Sequence, residues 1–131
     1  MAKRKRDQSA QTEKAVVIFE DHPVRRVWNE KDEKWYFPIV DVIKVLTEST
    51  DPGGYIKDMR RRDPELSKGW GQVATPLYTK TKGGRQKVNC ANVEGTLRII
   101  QSIPSKKAEP FKLWLAKVGY ERLQETVDPE Q

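Results

Sequence analysis

The sequence is poor in the side chains from which catalytic and metal-binding sites are most often built. It contains one cysteine, Cys90, and one histidine, His22, in 131 residues. A single cysteine excludes an internal disulfide and most cysteine-based metal sites, and a lone histidine leaves little to act as a base near neutral pH. The sequence contains no phosphate-binding loop and no metal-ligand spacing, and it establishes no pair of carboxylates. It therefore predicts a protein that is not an enzyme and has no cofactor or metal, with His22 structural or solvated.

Long apolar runs are missing as well. No stretch approaches the roughly 18 apolar residues that a membrane helix needs, and residues 1–14 lack the apolar region of a secretory signal. We therefore expect no membrane association and a cytoplasmic location in a reducing compartment. The chain is long enough for one domain with a modest core, to which four Trp, four Tyr and three Phe contribute large side chains.

The chain has an excess of positive charge, and one segment has a net charge equal to that of the whole chain. The whole chain has 25 Lys and Arg against 19 Asp and Glu, a formal net charge of +6. Residues 55–90 contain nine of the positive side chains and only three acidic ones, so this segment alone is +6. The nine are Lys57, Arg60, Arg61, Arg62, Lys68, Lys80, Lys82, Arg85 and Lys87. Such a concentration produces a field that attracts polyanions, which makes nucleic acid the first partner to consider; the alternative is a solvated basic surface with no partner.

The two ends of the chain are polar. Residues 1–14 have no hydrophobic periodicity and are predicted to be a disordered basic arm. The run Lys3, Arg4, Lys5 and Arg6 can contact phosphates or serve as a targeting signal, and it can equally be a solubilising tail. We expect a single domain over residues 15–126 and a frayed tail over residues 127–131, as though a longer protein continued there.

The first part of this domain reads as short strands. Residues 15–19 (AVVIF) are apolar and rich in β-branched side chains, residues 24–28 are extended, and residues 35–37 form an aromatic run. Their spacing predicts a small antiparallel meander of three strands.

Two helices are predicted next. The first begins at Pro38, and its buried stripe comprises Ile39, Val42, Ile43 and Leu46. The second has Asp51 as its N-cap and ends at Arg62, with Lys57, Arg60 and Arg61 on a face away from its apolar contacts. Two helices joined by a short turn resemble the layout of a helix-turn-helix, in which the basic second helix would lie in the major groove of DNA.

A basic hairpin is predicted after a loop over residues 65–71. Its strands are residues 73–79, where Pro76 indicates an edge strand or a bulge, and residues 85–90. Its loop is residues 80–84. The hairpin presents four cations that can enter a groove or follow a phosphate backbone, namely Lys80, Lys82, Arg85 and Lys87. Exposed lysines on an edge also discourage aggregation, so that reading stays open.

Two single residues near the hairpin have their own predicted roles. Trp70, in the loop, can stack on an unpaired base or simply cover the core. Cys90, at the end of the second strand, is interpreted as a small buried hydrophobe rather than a reactive thiol.

Two more helices are predicted at the end of the domain. Asn92 caps the first, in which Gly95 indicates close packing. Ser105 caps the last, which is expected to run over residues 106–125 with an apolar stripe formed by Phe111, Trp114, Leu115 and Val118. The predicted fold class is therefore α+β, with small antiparallel strands, a basic β-hairpin and about four helices.

Five segments, taken in order, carry a resemblance to a known family. They are residues 24–28 (VRRVW), 35–42 (WYFPIVDV), 55–57 (YIK) with Arg60 and Arg61, 92–100 (NVEGTLRII) and 111–115 (FKLWL). Together they resemble the BRO N-terminal (Bro-N) domain, which occurs in baculovirus BRO proteins, in phage and prophage antirepressors and in some bacterial DNA-damage-inducible proteins. The resemblance covers residues 16–123.

The resemblance implies an α+β domain linked to DNA binding and to phage or stress regulation, and it does not imply an active site. Asp41 is a landmark of the family, and we interpret it as a structural, hydrogen-bonding residue near a helix start rather than a functional one. Antirepressor relatives can act by binding a repressor protein instead of DNA, and many relatives carry a second, C-terminal domain.

The leading hypothesis is a non-catalytic DNA-binding domain in transcriptional or prophage regulation. The residues expected to contact nucleic acid are Lys57, Arg60, Arg61, Trp70, Lys80, Lys82, Arg85 and Lys87, with Lys3, Arg4, Lys5 and Arg6 as an accessory arm. The alternative is a protein-interaction module that binds and inactivates a repressor or another regulatory protein, using the same basic segment to attract an acidic partner surface.

Overall fold

The computed structural model describes residues 15–121, so the predicted basic arm and the predicted tail lie outside the described residues. Within that range the chain forms six strands and six helices. In chain order they are β1 (Val16–Phe19), β2 (His22–Arg25), β3 (Val27–Asn29), β4 (Lys34–Pro38), α1 (Ile39–Thr47), α2 (Pro52–Arg62), α3 (Pro64–Lys68), α4 (Trp70–Val73), β5 (Thr75–Thr81), β6 (Gly84–Ala91), α5 (Val93–Ile100) and α6 (Ala108–Val118). The predicted α+β class is confirmed.

The strands form two antiparallel sheets. One is the β1–β2 hairpin, and the other has the order β3-β4-β6-β5. The prediction of one three-stranded meander is therefore wrong, because the predicted strand at residues 24–28 is divided at Arg26. The backbone N–H of Arg26 donates to the carbonyl of Ala15 at 2.6 Å, and its side chain, 3% exposed, donates to the carbonyl of Val118. The buried, charged side chain of Arg26 therefore lies at the break between β2 and β3.

Helices α1 and α2 follow their sequence signals. The predicted stripe of α1 is buried, and Val45 is buried with it. Asp51 caps α2 by accepting the N–H of Gly54 at 3.1 Å, and Pro52 occupies the first turn. The helix ends at Arg62, as predicted.

The predicted loop over residues 65–71 is wrong, because two short helices occupy it. Asp63 accepts the N–H of Leu66 at 3.0 Å and so caps α3, with Pro64 at its first position. This is the same Asp-Pro chemistry that starts α2. Trp70 consequently lies on α4 rather than in a loop.

The basic hairpin forms with a shorter loop than predicted. Strand β5 extends to Thr81, which pairs with Gly84, so only Lys82 and Gly83 connect the strands. Gly84 has a φ of 97°, a conformation that glycine adopts without steric cost. The expectation that Pro76 marks an edge strand is confirmed, since β5 is the last strand of its sheet.

The C-terminal helices are partly as predicted. Asn92 caps α5 by accepting the N–H of Gly95 at 2.8 Å. A Cβ on Gly95 would lie 3.1 Å from the carbonyl oxygen of Val73, which confirms the close packing. Helix α6 is shorter than predicted, because it ends at Val118. Ser105 donates to the carbonyl of Leu46 and accepts the N–H of Lys107, so it supports the turn before the helix instead of capping it.

An aromatic cluster joins α6 to the β1–β2 hairpin. The predicted stripe of α6 is confirmed: Phe111, Leu115 and Val118 are buried, and Trp114 packs against the core. The ring centroid of Phe111 lies 5.1 Å from those of Phe19 and Trp114. The Phe19–Phe111 contact is edge-to-face, with an interplanar angle of 77°, and aromatic contacts of this kind add to the stabilisation from burial.

A polar cluster fixes the junction between α2, α3 and the end of α5. Ser102 Oγ donates to Asp63 Oδ2 at 2.6 Å, the N–H of Leu66 donates to Oδ1, and Arg98 Nη2 lies 3.3 Å from Oδ2. Together these contacts lower the pKa of Asp63 from 3.8 to about 2.

The contribution of Asp63 to stability is expected to disappear in acid. Its pKa is lower in the folded chain than in the unfolded chain, so the stabilisation is present above the unfolded value and is lost as the pH falls through the folded one. We expect Asp63→Asn to lower the Tm at neutral pH, and the difference from wild type to close between about pH 4 and about pH 2. Thermal melts of both proteins across this range check the prediction, and an undiminished difference at the acid end would contradict it.

Candidate nucleic-acid interface

The outer face of the β5–β6 hairpin is the most strongly basic surface that the sheet presents. Cross-strand pairing places Tyr78 opposite Lys87, Lys80 opposite Arg85, and Pro76 opposite Asn89. Paired residues in an antiparallel ladder point to the same side. We call this surface the basic face, formed by Pro76, Tyr78, Lys80, Arg85, Lys87 and Asn89, all of which are exposed.

The other face of the hairpin packs on the domain. Thr79 and Cys90 are buried there, with the hydroxyl and the thiol 3.8 Å apart. Burial raises the pKa of the Cys90 thiol to about 11, so it stays protonated at neutral pH. Cys90 is a small buried side chain, as expected.

Cations on the basic face lie close together without acidic partners. Lys80 and Arg85 lie directly opposite each other on neighbouring strands, and the repulsion between their like charges destabilises the strand pair. Residues 75–91 contain no Asp or Glu that could offset this repulsion. Within residues 15–121, none of Lys80, Lys82, Arg85 and Lys87 forms an ion pair. A polyanion that lay across this face would relieve the repulsion.

Tyr78 stands among these cations. The Arg85 guanidinium carbon lies 5.4 Å from the centroid of its ring and the Lys87 ammonium 5.5 Å, and the residue is 56% exposed. Cations at this distance from a ring are attracted to it, which holds the basic side chains beside an exposed aromatic surface. Sequence reasoning missed Tyr78, although its position two residues before Lys80 on an alternating strand was a usable signal.

The other predicted cations lie on α2, which packs against α1 and α3 rather than on the hairpin's own sheet. Lys57 and Arg61 are exposed, and Arg61 Nη2 is paired with Asp58 Oδ1 at 2.5 Å. Arg60 is different, because its guanidinium covers the ring of Trp70 at 4.7 Å. Its Nε is buried without a hydrogen-bond partner in the described part of the chain.

Trp70 is half-buried and packs against the core, with one ring face occupied by Arg60. The role of Trp70 in base stacking stays a prediction. The ring of Tyr78 is more accessible to an unpaired base than that of Trp70, because it is 56% exposed. The accessory cations Lys3, Arg4, Lys5 and Arg6 lie outside the described residues.

Asp41, at the start of α1, has the structural role expected of it. Asp41 Oδ2 accepts the backbone N–H and Nε of Arg25, each at 2.9 Å, and Oδ1 accepts Nη2 at 2.6 Å. The hydrogen bond to this carboxylate raises the pKa of Arg25. Arg25 also donates from Nη1 to the carbonyl of Lys80 at 3.0 Å, so the pair connects β2 and α1 to the hairpin. Sequence reasoning did not single out Arg25.

A cleft of about 280 Å³ has the opposite character. Its lining combines aromatic and acidic side chains, among them Trp28, Tyr120, Glu33, Glu94 and Glu121. Three glutamates disfavour a polyanion, so this cleft does not extend the basic face.

Other chemistry is sparse in the part of the chain that the structure describes. Residues 15–121 hold no group of three or more His, Cys, Asp or Glu side chains placed to bind a metal ion. His22 lies in the β1–β2 hairpin, where its Nδ1 is 2.9 Å from the carbonyl oxygen of Glu20. None of the helices in this range is long and apolar enough to cross a membrane.

Comparison with known proteins gives one family. The BRO family N-terminal domain matches residues 23–125, most of the chain, and this is a regulatory domain of the DNA-binding type. An uncharacterized protein of Haemophilus influenzae is 28% identical over 115 residues, which are 88% of this chain and 52% of that protein. The chain thus spans about half the length of the curated relative that it matches. No solved structure matches the chain.

Proposed function

The chain belongs to the BRO family through its N-terminal domain, and on that premise we propose that it is a non-catalytic DNA-binding domain that meets DNA with the basic face of the hairpin. Its regulatory setting would be phage, prophage or stress-linked transcription, in an antirepressor-like role. The observation that carries the proposal is the acid-free hairpin, on which Lys80, Arg85 and Lys87 are exposed together around Tyr78.

Such a face can act on DNA in two ways. A two-stranded ribbon fits the width of the major groove, and cations along it can neutralise phosphates on both sides. Phosphate contacts position the protein and make the affinity depend on salt, but they do not select a base sequence. Tyr78 adds a ring on which an unpaired base can stack.

Helix α2 is proposed as a secondary contact. Lys57 and Arg61 are exposed, but the Asp58 carboxylate already neutralises part of the charge of Arg61. Arg60 is held on Trp70, which fixes its guanidinium near the same surface. We therefore assign α2 the smaller share of the binding free energy.

A comparison of two double variants with the same charge loss tests this assignment. We expect Lys80→Ala/Lys87→Ala to reduce the salt slope of duplex binding by about 2, since each lost phosphate contact removes about one unit. Lys57→Ala/Arg61→Ala should change both slope and affinity less. Fluorescence anisotropy of a labelled duplex at several salt concentrations measures both quantities. An α2 variant that loses more affinity than the hairpin variant would contradict the proposal.

A protein partner is the second candidate, favoured by apolar side chains exposed away from the basic face. Ile18 on β1 is 57% exposed and Leu113 on α6 is 77% exposed, and these two elements pack together. A repressor or another regulatory protein could be bound there. Replacement of Ile18 and Leu113 by glutamate that abolished a protein complex and left DNA affinity unchanged would favour this candidate.

A further inference from the structure

The β5–β6 hairpin is attached to its sheet only at its base. Strand β6 pairs with β4 at two positions, Phe37 with Ala91 and Pro38 with Cys90. The ladder between β5 and β6 continues for five further pairs towards the tip, from Pro76 with Asn89 to Lys80 with Arg85, before it closes at Thr81 and Gly84. The cations of the basic face therefore lie beyond the part of the hairpin that the β4 ladder holds.

Besides the packing of the buried Thr79 side chain, a hydrogen bond joins the outer half of the hairpin to another element. Arg25 Nη1 donates to the carbonyl oxygen of Lys80 at 3.0 Å. Lys80 is separated from the two-residue tip by Thr81 alone, and β5 is an edge strand. The bond therefore fixes the hairpin near its tip, where a small rotation about the base would displace the cations most.

The Arg25 side chain is itself fixed by Asp41. Asp41 accepts three hydrogen bonds from Arg25, through the backbone N–H, Nε and Nη2. The side chains are 29% and 15% exposed, so the pair is partly shielded from water. Asp41 belongs to the first turn of α1, in which Ile39 and Val42 are buried, so its position is set by the core. Arg25 thus connects the first turn of α1, which is anchored in the core, to the outer half of the hairpin.

We infer that Arg25 and Asp41 are positioning residues that hold the hairpin in the orientation that binds DNA, an inference that rests on the proposed function. They do not have to touch DNA for this role. When a binding-competent orientation is only partly populated, the apparent affinity falls by that fraction. Loss of the contact would therefore weaken binding without removing any phosphate contact from the bound state.

Two substitutions separate positioning from charge. Arg25→Lys preserves the net charge, but a lysine lacks the planar fork that serves both Asp41 oxygens and the Lys80 carbonyl together. Asp41→Asn makes the protein more positive, so electrostatics alone would strengthen DNA binding. We expect both variants to bind a labelled duplex more weakly, by about tenfold if the competent orientation falls to a tenth of the population. The salt slope should not change, because the bound state makes the same contacts.

Ile43→Val is the matched control, since Ile43 is buried on the same helix as Asp41. Ile43→Val should lower the Tm without changing DNA affinity. That result would exclude general destabilisation as the reason for weaker DNA binding by Arg25→Lys and Asp41→Asn. Hydrogen exchange of the free proteins gives a readout that does not depend on DNA: the amides of residues 77–88 should exchange faster in Arg25→Lys and Asp41→Asn than in wild type and the control.

The outcomes are distinguishable. Unchanged or tighter DNA binding by Asp41→Asn, or unchanged exchange over residues 77–88 in both variants, would overturn the inference even if the wild-type protein binds DNA. If the wild-type protein binds no DNA, the proposed function fails, and faster exchange in the variants would then support only the holding of the hairpin and not its role in binding.

Discussion

Replacement of Lys80, Lys82, Arg85 and Lys87 by alanine is expected to reduce affinity for duplex DNA by about a hundredfold or more near 0.1 M salt. Each neutralised phosphate releases close to one counterion, and this release is the main source of affinity at low salt. If the four side chains make most of about four to six phosphate contacts, the slope of log affinity against log salt should fall from about −4 or −5 to about −1. Anisotropy titrations at several salt concentrations measure the change.

The control for this variant removes the same charge elsewhere. Lys31, Lys44, Lys106 and Lys117 are exposed and lie outside the hairpin and α2. Their joint replacement by alanine leaves the basic face intact and should retain most of the slope. Equal losses in the two variants would show that net charge, and not the hairpin, determines binding.

Phe111→Ala is expected to produce the largest loss of stability. The side chain is fully buried and contacts the rings of Phe19 and Trp114. Truncation of a buried phenylalanine costs about 3–5 kcal/mol through lost burial and the cavity left behind. That is a large share of a typical domain's stability of about 5–15 kcal/mol. We expect the Tm to fall by at least about 12 °C, as measured by thermal melts followed by circular dichroism.

The neighbouring Leu113→Ala provides the comparison within the same helix. Leu113 is 77% exposed, and a surface substitution of this kind usually changes stability by less than about 0.5 kcal/mol. Similar losses for the two variants would mean that α6 does not pack as described.

Local signals in the sequence were sufficient where a single residue determines the structure around it. Asp51 and Asn92 each cap the helix that was predicted from them, because the side chain satisfies a backbone N–H only a few residues away. The stripes of α1 and α6 were predictable because burial follows the helical period. The hairpin followed from alternation and from the glycines at its turn.

The missed helix α3 had a local signal, since Asp63 caps it three residues away. Other failures concern residues whose partners are distant in the chain. Arg26 looks like a surface residue, yet it is buried. It donates to the Val118 carbonyl, 92 residues later, and pairs with the Glu121 carboxylate. Arg25 is tied to Lys80 across 55 residues. The position of Tyr78 two residues before Lys80 was visible in the sequence, but its pairing with Lys87 depends on the register of the two strands. Periodicity does not contain such pairings, which depend on how the elements pack.

The salt dependence of duplex binding by the wild-type protein tests the role of the basic face most simply. We expect binding at low salt and a slope of log affinity against log salt of about −4 to −5, which corresponds to about four to six neutralised phosphates. A slope near zero, or no binding at low salt, would contradict a role for the basic face in binding DNA.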